Sequence, residues 1–175
     1  MYLIQKRKLM ALALCSVMVF TACPKVSQSS LDKAAHASDT IAARYVETVD
    51  FVTKLYKAGA IKLELKDKIM DALIAFGQNG KKFNDLLKSY SAQYANGQVP
   101  ANVWTTIATN FDALSADFLK VLAFLPQTAG LGDSKSFRAI SAAVMSLAQV
   151  LATSSVIPNQ KLHQLEREVM EYGLD

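Results

Sequence analysis

Residues 64–95, ELKDKIMDALIAFGQNGKKFNDLLKSYSAQYA, contain the pattern that decides the fold. Apolar side chains and one glycine recur there every three or four positions: Leu65, Ile69, Leu73, Phe76, Gly80, Phe83, Leu87, Tyr90 and Tyr94. An α-helix turns once in 3.6 residues, so these positions share one face. The spacing predicts a long amphipathic helix from about Glu64 to Ala95. Gly77 and Gly80 each lower helix propensity by about 1 kcal/mol, so we expect a bend or break near them.

The chain before this segment predicts a first helix from about Leu31 to Ala58, ended by Gly59 in the left-handed conformation. Its inward stripe is Ile41, Tyr45, Val49, Val52 and Tyr56, widened by Ala42 and Leu55.

The chain after this segment predicts three further helices. A third helix starts at Pro100, which suits a first helical turn, and extends to Pro126. A loop leads to a fourth helix capped by Asp133 or Ser134, and Asn159 caps a short fifth one. Four long helices joined by short links favour an all-α fold, an antiparallel four-helix bundle with a short fifth C-terminal helix. We expect this bundle domain to span residues 31–175.

Charge along the chain argues against nucleic-acid binding. The 175 residues carry 19 Lys and Arg against 15 Asp and Glu, a formal net charge of +4. Three of these cations lie within the first 22 residues, which contain no acidic residue. The remaining 153 residues have a net charge of only +1, and a basic nucleic-acid footprint is therefore not expected.

The N-terminus has the pattern of an export signal. Lys6, Arg7 and Lys8 precede an apolar run from Leu9 to Phe20, which is shorter than the roughly 20 residues of a membrane-spanning helix. A conventional cleavage site is poorly matched, because Phe20 lies three residues before a cut after Ala22. The alternative Ala35-His36-Ala37 lies far beyond the apolar run.

The stretch Phe20-Thr21-Ala22-Cys23 resembles the lipobox of bacterial lipoproteins, with Phe where Leu is usual. The resemblance implies a signal peptide over residues 1–22, lipid attachment at Cys23, and a tether over residues 23–30. It also implies an exported protein held on a membrane by its acyl chains. Pro24, in place of an Asp that would favour inner-membrane retention, favours the outer membrane in a Gram-negative cell. A conventional cut and an uncleaved anchor remain alternatives.

Residues suited to catalysis or metal binding are scattered. His36 and His163 are far apart, and no predicted inward position holds a carboxylate. The Gly-rich segment 130–136 lacks the adjacent Gly-Lys and the preceding strand of a phosphate-binding loop. Two Cys cannot form a disulfide framework. We therefore expect no enzyme, no metal and no cofactor.

Charge is unevenly distributed over the predicted helices. Residues 24–98 carry 19 charged side chains, residues 99–160 carry six, and residues 139–160 carry none. Three alternatives follow: the fourth helix is the most enclosed one, helices three and four present a neutral face to a partner or ligand, or this stretch is a second insertion into the membrane. The anchors of such a face lie off the main stripes: Trp104, Val121, Met145 and Val150.

These features predict a membrane-anchored lipoprotein whose helical domain is a non-enzymatic interaction or structural module of the cell envelope, with an envelope protein as its partner. The alternative is a carrier that encloses a lipid or another small apolar ligand between helices three and four. The two alternatives differ in whether the purified protein contains a ligand.

Overall fold

A computed structural model of the chain describes residues 27–97, 102–128 and 130–174. Within these ranges the protein is all-helical, with five α-helices and no strand. The helices are α1 (Gln28–Lys57), α2 (Leu63–Ala95), α3 (Val103–Leu122), α4 (Lys135–Thr153) and α5 (Asn159–Glu171). The predicted all-α class is confirmed. The signal peptide, Cys23 and Pro100 lie outside the described residues.

The ends of α1 and α2 follow from local signals in the sequence. The Ser27 hydroxyl accepts a hydrogen bond from the Ser30 amide at 3.2 Å, so α1 begins at Gln28, three residues before the predicted start. Residues 28–30, expected to be part of the tether, are therefore helical. Gly59 has a φ of 73°, which confirms it as the residue that stops α1.

Helix α2 is continuous through Gly77 and Gly80, so the chain does not break there. Both glycines lie against neighbouring helices. A Cβ added at Gly77 would lie 2.6 Å from Cζ of Tyr45, whereas one added at Gly80 would lie 3.7 Å from Leu114 and 3.8 Å from Ile41. Packing against α1 and α3 outweighs the lower helix propensity of glycine.

The later helices differ from expectation at their ends. Helix α3 ends at Leu122 rather than at Pro126, which lies in a 3-10 turn, Leu125–Gln127. The Ser134 hydroxyl caps α4 by accepting from the Phe137 amide at 3.2 Å, as predicted. Pro158, not Asn159, is the N-cap of α5. Its fixed φ suits the helix boundary, and Asn159 becomes the first helical residue.

The core is built around five fully buried phenylalanines: Phe76, Phe83, Phe111, Phe118 and Phe137. Ring centroids lie 6.0 Å apart for Phe76 and Phe118, and 6.1 Å apart for Phe83 and Phe111, across α2 and α3. Phe118 also stacks on Phe137 of α4 at 6.1 Å. These ring pairs join α2, α3 and α4 in one core.

The backbones of α1 and α2, of α2 and α3, and of α1 and α4 pack closely, and α5 packs on α4. The contacts between α1 and α2 run in opposite chain directions, from Asp32 with Ser91 at one end to Tyr56 with Lys66 at the other. The α2–α3 ring pairs follow the same opposite order. These contacts are consistent with antiparallel neighbours.

Candidate functional site

Helix α4, which carries no charged residue after Arg138, is enclosed by the rest of the protein. Ten of its 19 residues are buried, a larger share than in any other described helix: Ser136, Phe137, Ile140, Ser141, Ala143, Val144, Leu147, Ala148, Leu151 and Ala152. Among the described residues it is also the one helix long and apolar enough to cross a membrane. The core helix of a folded domain passes that same test, and burial accounts for the absence of charge on α4 after Arg138.

Helix α5 packs on α4 and also contacts α3. Its Lys161 ammonium contacts the Asp112 carboxylate on α3 and lies 6.0 Å from the ring centroid of Phe111. Leu165 and Val169 of α5 are buried. Helix α5 therefore covers part of α4 and contacts α3, the two helices on which the sequence predicts a neutral face for a partner or ligand.

An apolar groove remains between α4 and α5. It has a volume of about 410 Å³. Met145 and Gln149 lie on its α4 side, and Leu162, Glu166 and Met170 lie on its α5 side. Met170 is 62% exposed, so the groove is open along that edge. Its lining is mainly apolar, with one carboxylate at the rim.

The four predicted anchor residues do not form one exposed face. Val121 is only 1% exposed and is therefore unavailable to an external partner. Trp104, Met145 and Val150 are half-buried and pack against the core. Trp104 lies 17 positions before Val121 on α3, or about 26 Å at 1.5 Å per residue. Of the four, Met145 lines the apolar groove. Cys23 lies outside the described residues.

One buried carboxylate was missed by the sequence analysis. Asp117 on α3 is 5% exposed, which contradicts the expectation that no inward position holds a carboxylate. It accepts a hydrogen bond from Asn79 Nδ2 at 2.6 Å and pairs with Lys120 Nζ at 2.7 Å. Lys120, three positions later, was the available signal for a paired carboxylate. Asn79 lies on α2, so its hydrogen bond to Asp117 links α2 to α3.

A second polar link joins α1 and α2 at the surface. Asp39 accepts a hydrogen bond from Asn84 Nδ2 at 3.0 Å and pairs with Lys88 Nζ at 2.7 Å. The hydrogen bond from Lys88, which has the largest effect, and the hydrogen bond from Asn84 hold the pKa of the Asp39 carboxyl below its usual range. The side-chain oxygen of Asn84, Oδ1, is buried without a hydrogen-bond partner among the described residues.

The residues suited to catalysis or metal binding lie apart in the described structure as well. His36 and His163 are exposed, and His163 Nδ1 lies 2.9 Å from a carboxylate oxygen of Glu166 one turn away. In the ranges 27–97, 102–128 and 130–174, no three His, Cys, Asp or Glu residues lie together as a metal site. Arg138 holds the Gly-rich loop by donating to the Gly132 carbonyl at 3.2 Å.

Comparison of the chain with protein-family models, with curated proteins and with solved structures finds no match.

Proposed function

We propose that this protein is an exported lipoprotein, anchored to a membrane through Cys23, whose helical domain is a non-enzymatic interaction or structural module of the cell envelope. The observation that carries the proposal is the sequence Phe20-Thr21-Ala22-Cys23 after a basic segment and an apolar run. Two or three acyl chains hold a protein stably on a bilayer, whereas one chain holds it only marginally. Pro24 favours the outer membrane of a Gram-negative cell.

The proposed arrangement of the domain is an antiparallel four-helix bundle closed by α5. It is supported by the order of contacts between α1 and α2 and between α2 and α3. A Cβ at Gly130, just before α4, would approach Phe51 near the end of α1, which supports opposite directions for these two helices. The N-cap of α1, Ser27, follows Cys23 by only four residues, so the bundle would lie close to the anchoring membrane.

The intact mass of protein extracted from membranes tests the anchor. We expect the mass of a chain that starts at residue 23 and carries acyl groups, and its loss in Cys23→Ser. Cys15→Ser is the matched control, because that cysteine lies within the predicted signal peptide and its substitution should leave the lipidated mass unchanged. A full-length mass, or a cleaved chain without acyl groups, would overturn the proposal.

A second candidate function, a carrier of a small apolar ligand, is favoured by the open groove between α4 and α5. This site differs from the predicted one between α3 and α4, where Phe118 stacks on Phe137. A carrier retains a lipid visible by native mass spectrometry, and Met145→Arg should release it. An interaction module is ligand-free, and Trp104→Ala should weaken capture of its partner without loss of helicity.

A further inference from the structure

The turn between α1 and α2 lies at the far end of α1 from Ser27. Helix α1 has 30 residues, which at 1.5 Å per residue separates the two ends by about 45 Å. Residues 54–68 around this turn contain five Lys against one Glu and one Asp, a net charge of +3. We call the surface formed by Lys54, Tyr56, Lys57, Lys62, Leu63 and Lys66 the basic tip.

Three lysines of the basic tip have no acidic partner. Lys54, Lys57 and Lys62 are exposed and have no salt bridge to any carboxylate in the described part of the chain. The two acidic groups within residues 54–68 pair with other lysines: Glu64 with Lys68 at 2.7 Å, and Asp67 with Lys66 at 3.2 Å. The positive charge of the first three lysines is therefore available to an anionic surface.

Apolar side chains are exposed among these lysines. Leu63 is 52% exposed and Tyr56 is 37% exposed, although the spacing of α1 predicted an inward Tyr56. The Lys66 ammonium lies 5.3 Å from the ring centroid of Tyr56, so charge and aromatic surface are adjacent. A leucine and a tyrosine flanked by lysines match the two layers of a bilayer surface, with anionic headgroups outside and acyl chains beneath.

Helix stability explains two of the three lysines, but it does not explain Lys62. Lys54 and Lys57 lie in the last turn of α1, where cations interact favourably with the helix dipole. Lys62 is the N-cap of α2, where the helix end is positive, and its side chain makes no capping hydrogen bond. Neither the Lys62 cation nor the exposed Leu63 side chain is therefore accounted for by the stability of α2.

We propose that the basic tip binds the surface of an anionic lipid bilayer. One part of this inference, that the protein connects two membranes, rests on the proposed function. With Cys23 anchored in one membrane, the basic tip binds a second membrane about 45 Å away. Three unpaired lysines supply the charge, and Leu63 and Tyr56 enter the headgroup region.

A two-vesicle assay with the full chain tests the proposal. The protein is first incorporated into neutral phosphatidylcholine vesicles, where flotation reports the anchor. Fluorescent phosphatidylglycerol vesicles are then added, and their recruitment reports the tip. Each lysine near an anionic surface contributes roughly a fivefold gain in binding, so Lys54→Gln/Lys57→Gln/Lys62→Gln should weaken recruitment about a hundredfold. Leu63→Ser should weaken it several-fold.

The matched control removes three exposed lysines elsewhere, Lys33→Gln/Lys81→Gln/Lys82→Gln, and should recruit like the wild type. Equal loss in both triple variants, or equal recruitment of neutral vesicles, would overturn the proposal. Competition by soluble polyglutamate together with no effect of Leu63→Ser would also overturn it, in favour of a soluble polyanion. Circular dichroism checks that each variant is folded.

Failure of the anchor is distinguishable from failure of the tip. A chain that does not float with neutral vesicles contradicts the proposed function alone. The basic tip is then tested by direct sedimentation of the full chain with phosphatidylglycerol vesicles. Binding should be equal in the wild type and the control variant, several-fold weaker in Leu63→Ser and weakest in the triple lysine variant of the tip. A different order of binding strengths overturns the proposal.

Discussion

At the scale of single residues, Gly77 and Gly80 lie one turn apart on α2 but have different surroundings. An alanine at position 80 makes ordinary contacts of 3.7–3.8 Å, so Gly80→Ala should raise the free energy of unfolding by about 0.5–1 kcal/mol through helix propensity. Gly77→Ala gains the same propensity but forces Tyr45 aside, because the new Cβ would lie 2.6 Å from its ring. Urea denaturation should therefore place Gly77→Ala below Gly80→Ala in stability.

The Tyr45 side chain supplies the control for this pair. In a Tyr45→Ala background the obstruction is gone, so Gly77→Ala should become stabilising. Burial raises the pKa of Tyr45, and displacement of its ring into solvent in Gly77→Ala should lower that pKa towards its ordinary value in a tyrosinate absorbance titration. Equal stabilisation by the two alanines in the wild-type background would contradict this account.

Asp39 gives the α1–α2 contact a dependence on pH. Its folded-state pKa is lowered, so the stability it contributes is fully present above the unfolded pKa of about 4 and is lost as pH falls through the lower, folded value. The side chain is 49% exposed, so water screens the pair and the effect should stay below about 1 kcal/mol.

Thermal unfolding between pH 6 and pH 3 measures this contribution. Asp39→Asn should flatten the acid side of the stability profile, because the variant has no carboxylate to protonate at this contact. Asp71→Asn, on the exposed face of α2 and outside the contact, is the control and should keep the wild-type slope. An unchanged slope in Asp39→Asn would show that other carboxylates account for the acid dependence.

At the scale of secondary-structure elements, α2 begins without a capping side chain. Lys62 occupies the N-cap, so Lys62→Asp replaces a cation at the positive helix end with a carboxylate that can accept from the first-turn amides. We expect a gain of about 1 kcal/mol, or a melting temperature roughly 2–4 °C higher. Lys82→Asp makes the same change of charge on an exposed position within α2 and should stay within about 0.5 kcal/mol of wild type.

This substitution separates stability from membrane binding. If the basic tip binds anionic lipid, Lys62→Asp should make the protein more stable and at the same time weaker in vesicle recruitment. A stabilised variant with undiminished recruitment would mean that Lys62 has no part in the lipid contact. A destabilised variant would contradict the capping argument itself.

The elements were predictable to the extent that their signals are local. The spacing along α2, the stop at Gly59 and the cap at Ser134 are short-range patterns, and each appears in the structure. The helix is not broken at Gly77 and Gly80, because propensity alone cannot include the Tyr45 ring that packs there. Asp117 was missed for the same reason, since its partner Asn79 lies 38 positions away on α2.

At the scale of the whole molecule, the position of the candidate site is set by contacts between helices that are distant in sequence. Low charge on α4 correctly indicated an enclosed helix, but it did not indicate that α5 packs on α4 and contacts α3 through Lys161. The apolar spacing of α3 alone predicts Val121 on an outer face, because it contains no information about the neighbouring helices. In the structure its side chain points into a core shared by several helices.

Helix α5 should be the part of the fold most easily loosened, because its backbone packs closely on α4 alone among the described helices. Leu165 is 1% exposed, so Leu165→Ala should remove roughly 2–5 kcal/mol of local packing. Hydrogen exchange should then accelerate across residues 159–171 and along the α4 side of the apolar groove, while α1 and α2 keep their protection. Met170→Ala, at a side chain 62% exposed, is the control and should leave exchange unchanged. Uniform acceleration in all five helices would show instead that α5 unfolds together with the core, and that the groove opens only when the whole domain does.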